Sequence, residues 1–212
     1  MKKAPLFITF EGGEGCGKTT QMALFCEWLF RRDTPFMRTR EPGGTPVGKE
    51  IRKLLLEGAG DKFDALSELF LFSADRHEHM RTIIQPALAR GEWVISDRFA
   101  DSTTVYQSHV KGLDAAMVEQ VHQWATGGVW PHLTFILDIP VAEGLARKGK
   151  QAEEGLTETR MEGMGQSFHE KVRQGYLAIA QQHPSRCRVI DASGTINDVQ
   201  QRLRDALTAF LA

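Results

Sequence analysis

A glycine-rich stretch near the N-terminus carries the clearest chemical signal in the sequence. Residues 11–20 read EGGEGCGKTT, and Gly12, Gly17, Lys18 and Thr19 match the pattern G-x-x-x-x-G-K-[ST]. Glycines let the backbone wrap a phosphate with several N–H groups pointing inward, and the positive end of the following helix faces the same phosphates. Lys18 can reach the β- and γ-phosphates, and the Thr19 hydroxyl can ligate Mg²⁺. The stretch predicts a nucleotide-binding loop of the kind that switches, motors and kinases share.

Charged and aromatic side chains in two later stretches suggest a second binding region. Asp97 and Arg98 follow an apolar run at 93–96, where an Asp can hold Mg²⁺ and an Arg can clamp a phosphate with two hydrogen bonds. Phe72 and Arg76 are four residues apart on a predicted helix, so they share a face that can hold a base and its phosphate. Taken singly, these pairs also fit a surface ion pair and a core Phe beside a solvated Arg.

Two polar stretches complete the chemically informative part of the sequence. Residues 39–45 read TREPGGT just past a predicted strand, and the bond before Pro42 is a candidate for the cis form in a tight turn. Residues 101–107 read DSTTVYQ and offer hydroxyl and amide groups without an apolar stripe. The second stretch either contacts base edges or begins a capped helix. The first is otherwise a plain polar loop.

The elements that must position these residues alternate between strands and helices. Short apolar runs predict five strands, at 6–10, 36–40, 93–96, 133–137 and 188–190. Helical spacing predicts helices at 17–31, 47–56, 65–90, 114–125, 141–148, 168–181 and 196–211, with a candidate interruption of the third at Pro86. Strands separated by helices predict a three-layer α/β fold, with a parallel sheet covered on both faces. The chain reads as one domain over residues 1–212.

Residues 149–165 form the least regular stretch of the sequence. The stretch is polar, contains four glycines and carries charges of both signs. This composition predicts a mobile loop, and in a nucleotide-binding enzyme such a loop is a candidate lid that excludes water during transfer. A plain flexible linker would have the same composition.

Composition narrows the class of partner. The 212 residues carry a net charge of −1, so no overall field attracts nucleic acid or a membrane surface. Cys16, Cys26 and Cys187 are odd in number and widely spaced, which predicts a reducing cytoplasm and argues against disulfides or a zinc site. No apolar run approaches membrane-spanning length. We therefore expect a cytoplasmic protein with small-molecule partners.

Taken together and in this order, the stretches resemble the thymidylate kinase family over nearly the whole chain. The phosphate loop alone is common to many families, but three features are much more specific: Glu14 inside the loop, the REPGG turn at 40–44 and the segment from DRF to YQ at 97–107. The resemblance implies a P-loop kinase fold and transfer of the γ-phosphoryl group of Mg-ATP to dTMP, for thymidine nucleotide synthesis. It also implies a homodimer formed through packed helices.

The resemblance assigns roles on the acceptor side. By similarity, Phe72 stacks on thymine, and Thr103 and Gln107 lie close to the base. Tyr106 lies near the sugar, and Glu14 faces the sugar 3′-hydroxyl. The full set of residues expected to bind dTMP is Glu14, Pro42, Phe72, Arg76, Arg98, Ser102, Thr103, Tyr106 and Gln107.

Further roles concern the phosphates, the metal and the donor. By similarity, Arg76 and Arg98 hold the acceptor phosphate, a cis Pro42 lines the acceptor pocket, and Arg147 packs on adenine near a turn at 191–193. The residues expected to bind ATP are Gly12, Gly13, Glu14, Gly15, Cys16, Gly17, Lys18, Thr19, Thr20 and Arg147. The expected metal ligands are Thr19 and Asp97, and the expected catalytic residues are Lys18, Asp97, Arg98 and Arg160.

The stretch after Arg147 departs from the family pattern, which repeats Arg in the lid. Here Lys148 and Lys150 take those places, and the next Arg is Arg160. Lys is not equivalent to Arg for a two-point phosphate contact. Lys148, Lys150 and Arg160 are all candidates for the lid cation, with Arg160 as our hypothesis.

Other functions fit parts of the same pattern. A nucleoside kinase of this fold needs a carboxylate base, for which Glu14 is a candidate, but the pair Arg76 and Arg98 favours an acceptor that already carries phosphate. A different monophosphate acceptor and a weakly active nucleotide-binding homologue are further alternatives. A GTP switch is disfavoured because the sequence lacks the N-K-x-D motif.

Overall fold

The computed structural model describes residues 4–57, 62–152 and 164–212, apart from the side chains of residues 149–152. The strands are β1 (Phe7–Gly12), β2 (Phe36–Arg40), β3 (Trp93–Asp97), β4 (Leu133–Asp138) and β5 (Cys187–Asp191). They form one sheet in the order β2-β3-β1-β4-β5, and every neighbouring pair is parallel. The predicted parallel sheet is confirmed, and the ends of the five predicted strands move by at most two residues.

Helices cover both faces of the sheet. They are α1 (Lys18–Phe30), α2 (Pro46–Leu56), α3 (Ala65–His79), α4 (Gln85–Ala89), α5 (Ala100–Thr103), α6 (Ala115–Thr126), α7 (Val141–Ala152), α8 (Gln166–Gln182) and α9 (Ile196–Leu211). Helices α1 and α9 pack together on one face, where the rings of Phe10, Phe25 and Phe135 meet edge to face at 5.3–5.7 Å. Helices α4 and α8 cover the other face. Alternate residues of the buried strands supply the two cores.

The predicted helix at 65–90 changes its hydrogen bonding midway. Helix α3 ends at His79, a π-helical turn covers Met80–Ile84, and α4 follows directly. Pro86 lies in the first turn of α4. Proline has no N–H to donate to the preceding turn, and the wider π-helical turn lets the chain continue without that bond. The expected interruption is therefore a local widening just before the proline.

The polar stretch at 101–107 lies inside a helical region. Helix α5 begins at Ala100 and continues into a second π-helical segment, Thr104–Val110. Of the two alternatives for this stretch, the helix start is present but has no side-chain cap, because the residue before the helix is Phe99, which makes no capping hydrogen bond. The N–H of Phe99 instead donates to the carboxylate of Glu11 at 2.8 Å. A residue from a distant strand fixes this turn, which local sequence cannot reveal.

The chemically informative stretches meet at one edge of the sheet. Asp97 at the end of β3 is the register partner of both Phe10 in β1 and Arg40 in β2. The phosphate loop and the turn at 40–44 leave the sheet beside these residues. Ligands of parallel sheets bind at the carboxyl ends of the strands, so this edge is where a site is expected. Within the part of the chain that the structure describes, no helix is both long and apolar enough to cross a membrane.

Candidate active site

The phosphate loop joins β1 to α1. Gly17 has φ +86° and precedes α1, whose first turn reads Lys-Thr-Thr-Gln. Lys18 folds back over the loop, and its Nζ donates hydrogen bonds to the carbonyl oxygens of Gly12 at 3.0 Å and Gly13 at 2.9 Å. A positive side chain and the N-terminus of a helix therefore face the same space, as phosphate binding requires.

Helix α7 packs backbone to backbone against this loop. Gly15 has φ +66°, and a Cβ placed on it would overlap the backbone of Gly144 in α7. A Cβ on Gly144 would likewise overlap the carbonyl oxygen of Glu14, whereas a Cβ on Gly13 would meet nothing within 4 Å. The close approach of loop and helix thus depends on two glycines in different elements.

A cavity of about 760 Å³ opens beside the loop, which is the size of a small-molecule site. Its walls come from the loop, α2, α3, the helical region after β3, α7 and the start of α9. The predicted site residues that line it are Glu14, Gly15, Cys16, Gly17, Lys18, Thr19, Thr20, Pro42, Phe72, Arg76, Asp97, Arg98, Ser102, Thr103, Tyr106, Gln107, Arg147 and Lys148. Gly12 and Gly13 line a much smaller cavity behind the loop. Arg160 and the side chain of Lys150 lie outside the described residues.

Two hydroxyl groups from different helices hold Arg98. Its Nη1 donates to Ser102 Oγ at 3.0 Å and to the Tyr176 phenol oxygen at 2.7 Å. Both hydroxyls donate to Glu11 Oε2, at 2.6 and 3.0 Å, while Oε1 accepts from the N–H of Phe99. Arg98 itself has φ +69°, which is uncommon for a residue with a side chain. The network therefore fixes both the backbone turn after β3 and the direction of the Arg98 side chain.

The carboxylate at the centre of this network titrates near neutral pH. Burial raises the pKa of Glu11 from 4.5 to about 7, against the opposing charge of Arg98. Oε2 lies 3.8 Å from Arg98 Nη1, and the negative charge of Asp101 favours the rise. Burial also raises the pKa of the Tyr176 phenol, so that hydroxyl stays protonated. Glu11 therefore changes charge at a pH where its partners do not.

Arg76 is buried and carries its own counterion. Its Nε donates to Glu41 Oε1 at 2.6 Å, and its Nη2 donates to Thr103 Oγ1 at 2.7 Å. The other Glu41 oxygen lies 3.4 Å from His79 Nδ1, and the Phe99 ring lies 5.2 Å from the guanidinium. The ion pair offsets much of the charge on Arg76. Its expected role as a phosphate ligand stays a prediction.

Arg52 in α2 reaches the same cavity, although nothing in the sequence singles it out. Its Nη1 donates to the carbonyl oxygen of Pro42 at 2.9 Å, and the Glu41–Pro42 bond is cis, as predicted. Burial, and then the charge of Arg40, lower the pKa of the Arg52 guanidinium. Asp97 opposes this shift, and Arg98 adds to it, so Arg52 lies among charged side chains of both signs.

Glu14 and Arg147 line the cavity where the phosphate loop meets α7. Glu14 Oε1 is 3.4 Å from Lys148 Nζ. Burial opposes the ionisation of Glu14, but the charges of Lys18 and Lys148 hold its pKa below the ordinary value. Arg147 Nη1 donates to the carbonyl oxygen of Ala192 at 3.2 Å, which puts Arg147 beside the 191–193 turn. Glu14 is thus a permanent negative charge between the loop and α7.

Thr19 and Asp97 are suitable ligands for a hard cation. Both line the cavity, and a hydroxyl and a carboxylate are oxygen donors of the kind that Mg²⁺ prefers. Among the described residues, no group of three or more His, Cys, Asp or Glu side chains is arranged to hold a metal ion. These two oxygen donors fit an ion that takes its remaining ligands from nucleotide phosphates and water.

Four residues of the site were not predicted: Glu11, Glu41, Arg52 and Tyr176. Glu11 does carry a signal, because a charged residue ending a fully buried strand needs a partner. Glu41 lies in a turn that the sequence marked, but its pairing with Arg76 depends on the packing of α3. Arg52 and Tyr176 carry no signal, since helical periodicity does not tell which loop a residue will face.

Comparison with known proteins relates the chain to one family. The family model for thymidylate kinase matches residues 10–203. A thymidylate kinase of Gloeobacter violaceus is 44% identical over 206 residues, covering 97% of this chain and 96% of the relative. A thymidylate kinase of a Synechococcus species is 48% identical over 198 residues, covering 93% and 92%.

A solved structure gives the same result in three dimensions. The crystal structure of thymidylate kinase from Ehrlichia chaffeensis superimposes with a TM-score of 0.77 at 35% sequence identity. The match covers 96% of this chain and 99% of the crystallised one. Both the family model and full-length relatives at this identity lead to one conclusion, that this chain belongs to the thymidylate kinase family.

Proposed function

We propose that this protein transfers the γ-phosphoryl group of Mg-ATP to dTMP, giving dTDP and ADP. Family membership supports the reaction, and one observation carries it: a single cavity is lined by a phosphate loop and, facing it, by an aromatic side chain and an arginine held for anion binding. These are Lys18 in the loop, Phe72 in α3 and Arg98 after β3. A donor and an acceptor nucleotide fit end to end in such a cavity.

The acceptor nucleophile needs little activation. A phosphate oxygen of dTMP is already anionic at pH 7, so the site requires no strong general base. What it must overcome is repulsion between two polyanions, and phosphoryl transfer is catalysed mainly by positioning and electrostatics. Lys18 supplies positive charge on the donor side, and Arg98 supplies it on the acceptor side. Arg52 joins Arg98 there, because the charge of Arg76 is offset by Glu41.

The base and sugar of dTMP occupy the part of the cavity between α3 and the helical region after β3. Phe72 stacks on thymine, Thr103 and Gln107 contact its edge, and Tyr106 lies at the sugar. The Arg98 guanidinium lies over the Tyr106 ring, 5.7 Å from the ring centre. Glu14, which stays ionised, accepts a hydrogen bond from the 3′-hydroxyl.

ATP occupies the other end. Its phosphates are wrapped by Gly12 to Thr20, and its adenine packs against Arg147 beside the 191–193 turn. A bound Mg²⁺ ion would be held by Thr19 and Asp97, and it would neutralise charge that develops on the donor phosphates. Among the described residues, Lys148 is the candidate for the lid cation. Arg160 remains the hypothesis from the sequence.

A panel of acceptors tests the function directly. ADP release from ATP and Mg²⁺ is measured with dTMP, dUMP, dCMP, dGMP and thymidine as acceptors. We expect the highest kcat/KM with dTMP. ADP release that is no faster with dTMP than without it would overturn the proposal, and a preference for thymidine would indicate a nucleoside kinase.

Arg98→Ala tests the placement of the acceptor. The KM for dTMP should rise about 100-fold, as for loss of a charged contact, while the KM for ATP changes little. The exposed Arg31→Ala is the matched control, since Arg31 pairs only with its helix neighbour Glu27 among the described residues. An unchanged KM for dTMP in Arg98→Ala would show that the acceptor binds elsewhere.

We also propose a homodimer formed through α3 and α6. Leu66 and Phe70 lie four residues apart on α3, and Met117 and Trp124 lie seven apart on α6; all four are exposed, Trp124 by 71%. The two helices pack against each other, so these side chains extend one apolar surface. Light scattering should give a dimer for the wild type and a monomer for Phe70→Glu.

A cytoplasmic location is consistent with the free, buried Cys16, Cys26 and Cys187.

A further inference from the structure

A buried carboxylate lies behind the helical segment that borders the cavity. Glu68, in the first turn of α3, is fully buried. Its Oε2 accepts hydrogen bonds from Gln107 Nε2 at 2.9 Å and from Lys111 Nζ at 2.5 Å. Lys111 compensates the charge of Glu68, and Gln107 carries the contact to the wall of the cavity. Gln107 and Lys111 lie 39 and 43 residues after Glu68 in the sequence, so the contact joins α3 to the helical region after β3.

This contact determines which way the amide of Gln107 points. Glu68 Oε2 accepts from Lys111, whose ammonium can only donate, so this oxygen is an acceptor and the group of Gln107 that faces it must be its NH₂. The carbonyl oxygen Oε1 is then directed away from Glu68. That oxygen is buried and has no hydrogen-bond partner among the described residues. A buried, unpaired carbonyl beside a ligand cavity calls for an N–H donor from the ligand.

We propose that Glu68 is a positioning residue for base recognition: it orients Gln107 so that the amide carbonyl accepts a hydrogen bond from a ring N–H of the acceptor base. This inference rests on the proposed function, which places thymine in this part of the cavity. Thymine carries a proton on its ring N3, whereas cytosine has an unprotonated N3 that can only accept. Glu68 therefore selects an imide-type pyrimidine over cytosine without touching the base. Lys111 donates to the same Glu68 oxygen as Gln107 does, so this oxygen faces two donors.

Glu68→Met tests the orientation. It removes the acceptor and leaves Lys111, whose ammonium can only donate, beside Gln107, so the Gln107 amide turns its carbonyl toward Lys111. The NH₂ of Gln107 then faces the base, where it suits cytosine and not thymine. We expect the ratio of the dCMP to the dTMP dissociation constant, measured by calorimetry, to fall about tenfold or more, as for exchange of one hydrogen bond in a buried site.

A double-mutant cycle with Gln107→Leu separates positioning from a merely structural role. If Glu68 acts through the amide, Glu68→Met changes the ratio in the wild-type background and leaves it unchanged in Gln107→Leu. An equal change in both backgrounds, or no change in either, would overturn the inference. The KM for ATP should stay constant throughout, because Gln107 lies on the acceptor side.

A second variant covers the case in which Glu68→Met does not fold. Replacing the whole pair, as in Glu68→Met/Lys111→Met, is a change that buried ion pairs commonly tolerate. The amide of Gln107 is then free to take either direction, and the ratio should again fall. The same measurements on the wild type distinguish a failure of the proposed function from a failure of the role of Glu68. If the wild type does not bind and phosphorylate dTMP, the proposed function fails. If it does and neither Glu68 variant lowers the ratio, only the role of Glu68 fails.

Discussion

The phenol oxygen of Tyr176 lies 2.7 Å from Nη1 of Arg98, although 78 residues separate them in the sequence. Tyr176 belongs to α8. Arg98 follows β3, and β3 and β4 lie on opposite sides of the central strand β1. Glu11, at the end of β1, accepts the hydrogen bond that the same phenol donates. The direction of the proposed phosphate-binding arginine thus depends on a helix that supplies no residue to the predicted site.

Tyr176→Phe removes this contact and keeps the ring. Arg98 loses one of two hydroxyls that hold it, and a hydrogen bond to a charged group contributes roughly 1.5–3 kcal/mol. We expect the KM for dTMP to rise about tenfold while the KM for ATP stays within experimental error. Steady-state kinetics in which both KM values rise together, or in which neither moves, would contradict the positioning role. Combined with Arg98→Ala, the substitution should have almost no further effect.

The raised pKa of Glu11 predicts a pH-dependent stability difference. Between pH 4.5 and 7 the unfolded chain releases the Glu11 proton while the folded chain keeps it. The folded state then binds more protons, so Glu11 lowers the stability of the wild type as the pH rises through this window. The loss is on the order of 3 kcal/mol in total and ends above about pH 7.

Glu11→Gln isolates that contribution. The substituted amide does not titrate, so the melting temperature of the variant minus that of the wild type should increase from pH 5 to pH 7 and level off above pH 8. Other groups, such as His122, whose pKa burial lowers to about 3, affect both proteins alike. A temperature difference that is constant over pH 5–8 would show that Glu11 has an ordinary pKa.

The contact between the phosphate loop and α7 predicts unequal effects of neighbouring glycines. Gly15→Ala would combine a positive φ with overlap on Gly144, so it should lower the free energy of unfolding by roughly 2–4 kcal/mol. Gly13→Ala is the matched control, because its Cβ would have free space. Urea unfolding should separate the two clearly. Equal stability of the two variants would mean that α7 shifts freely away from the loop.

Lys18→Ala should remove activity without removing the fold. Lys18 Nζ bonds to two loop carbonyls, and the loop geometry itself comes from its glycines. We expect kcat to fall at least 100-fold, as for loss of a charge that faces the transferred group, with a melting temperature within a few degrees of the wild type. Normal turnover in the variant would remove Lys18 from the mechanism.

Sequence patterns were sufficient to predict the sheet, because five short apolar runs separated by helical segments are typical of buried parallel strands. They were also sufficient for residues that lie on loops at the carboxyl ends of strands, such as Lys18 and Asp97, since topology brings those loops together. They failed for residues such as Arg52 and Tyr176, which reach the site from the sides of helices. Side-chain direction there is decided by packing, and no local pattern records it.

Sequence patterns also do not show which charged or polar side chains contact each other across distant elements. The sequence indicated Arg76 as a charged residue near the acceptor, but it could not show that Glu41, 35 residues earlier, would neutralise it. Nor could it show that Glu68 would face Gln107 across 39 residues. Charges are compensated by contacts between elements, so the electrostatics of a site becomes readable only when its neighbours are known.

The π-helical segment Thr104–Val110 gives the chain a place beside the site where its length can change. A π-helical turn holds more residues than an α-helical one, so deleting one residue before Gln107 would allow ordinary α-helical bonding to resume. The wider turn absorbs the deletion, so the later side chains keep directions close to those they have now. By contrast, a deletion before Phe72 in α3, where the bonding is α-helical, would turn Phe72 and Arg76 by about 100° relative to the start of the helix. The site should therefore tolerate a one-residue deletion in Thr104–Val110 better than one in α3.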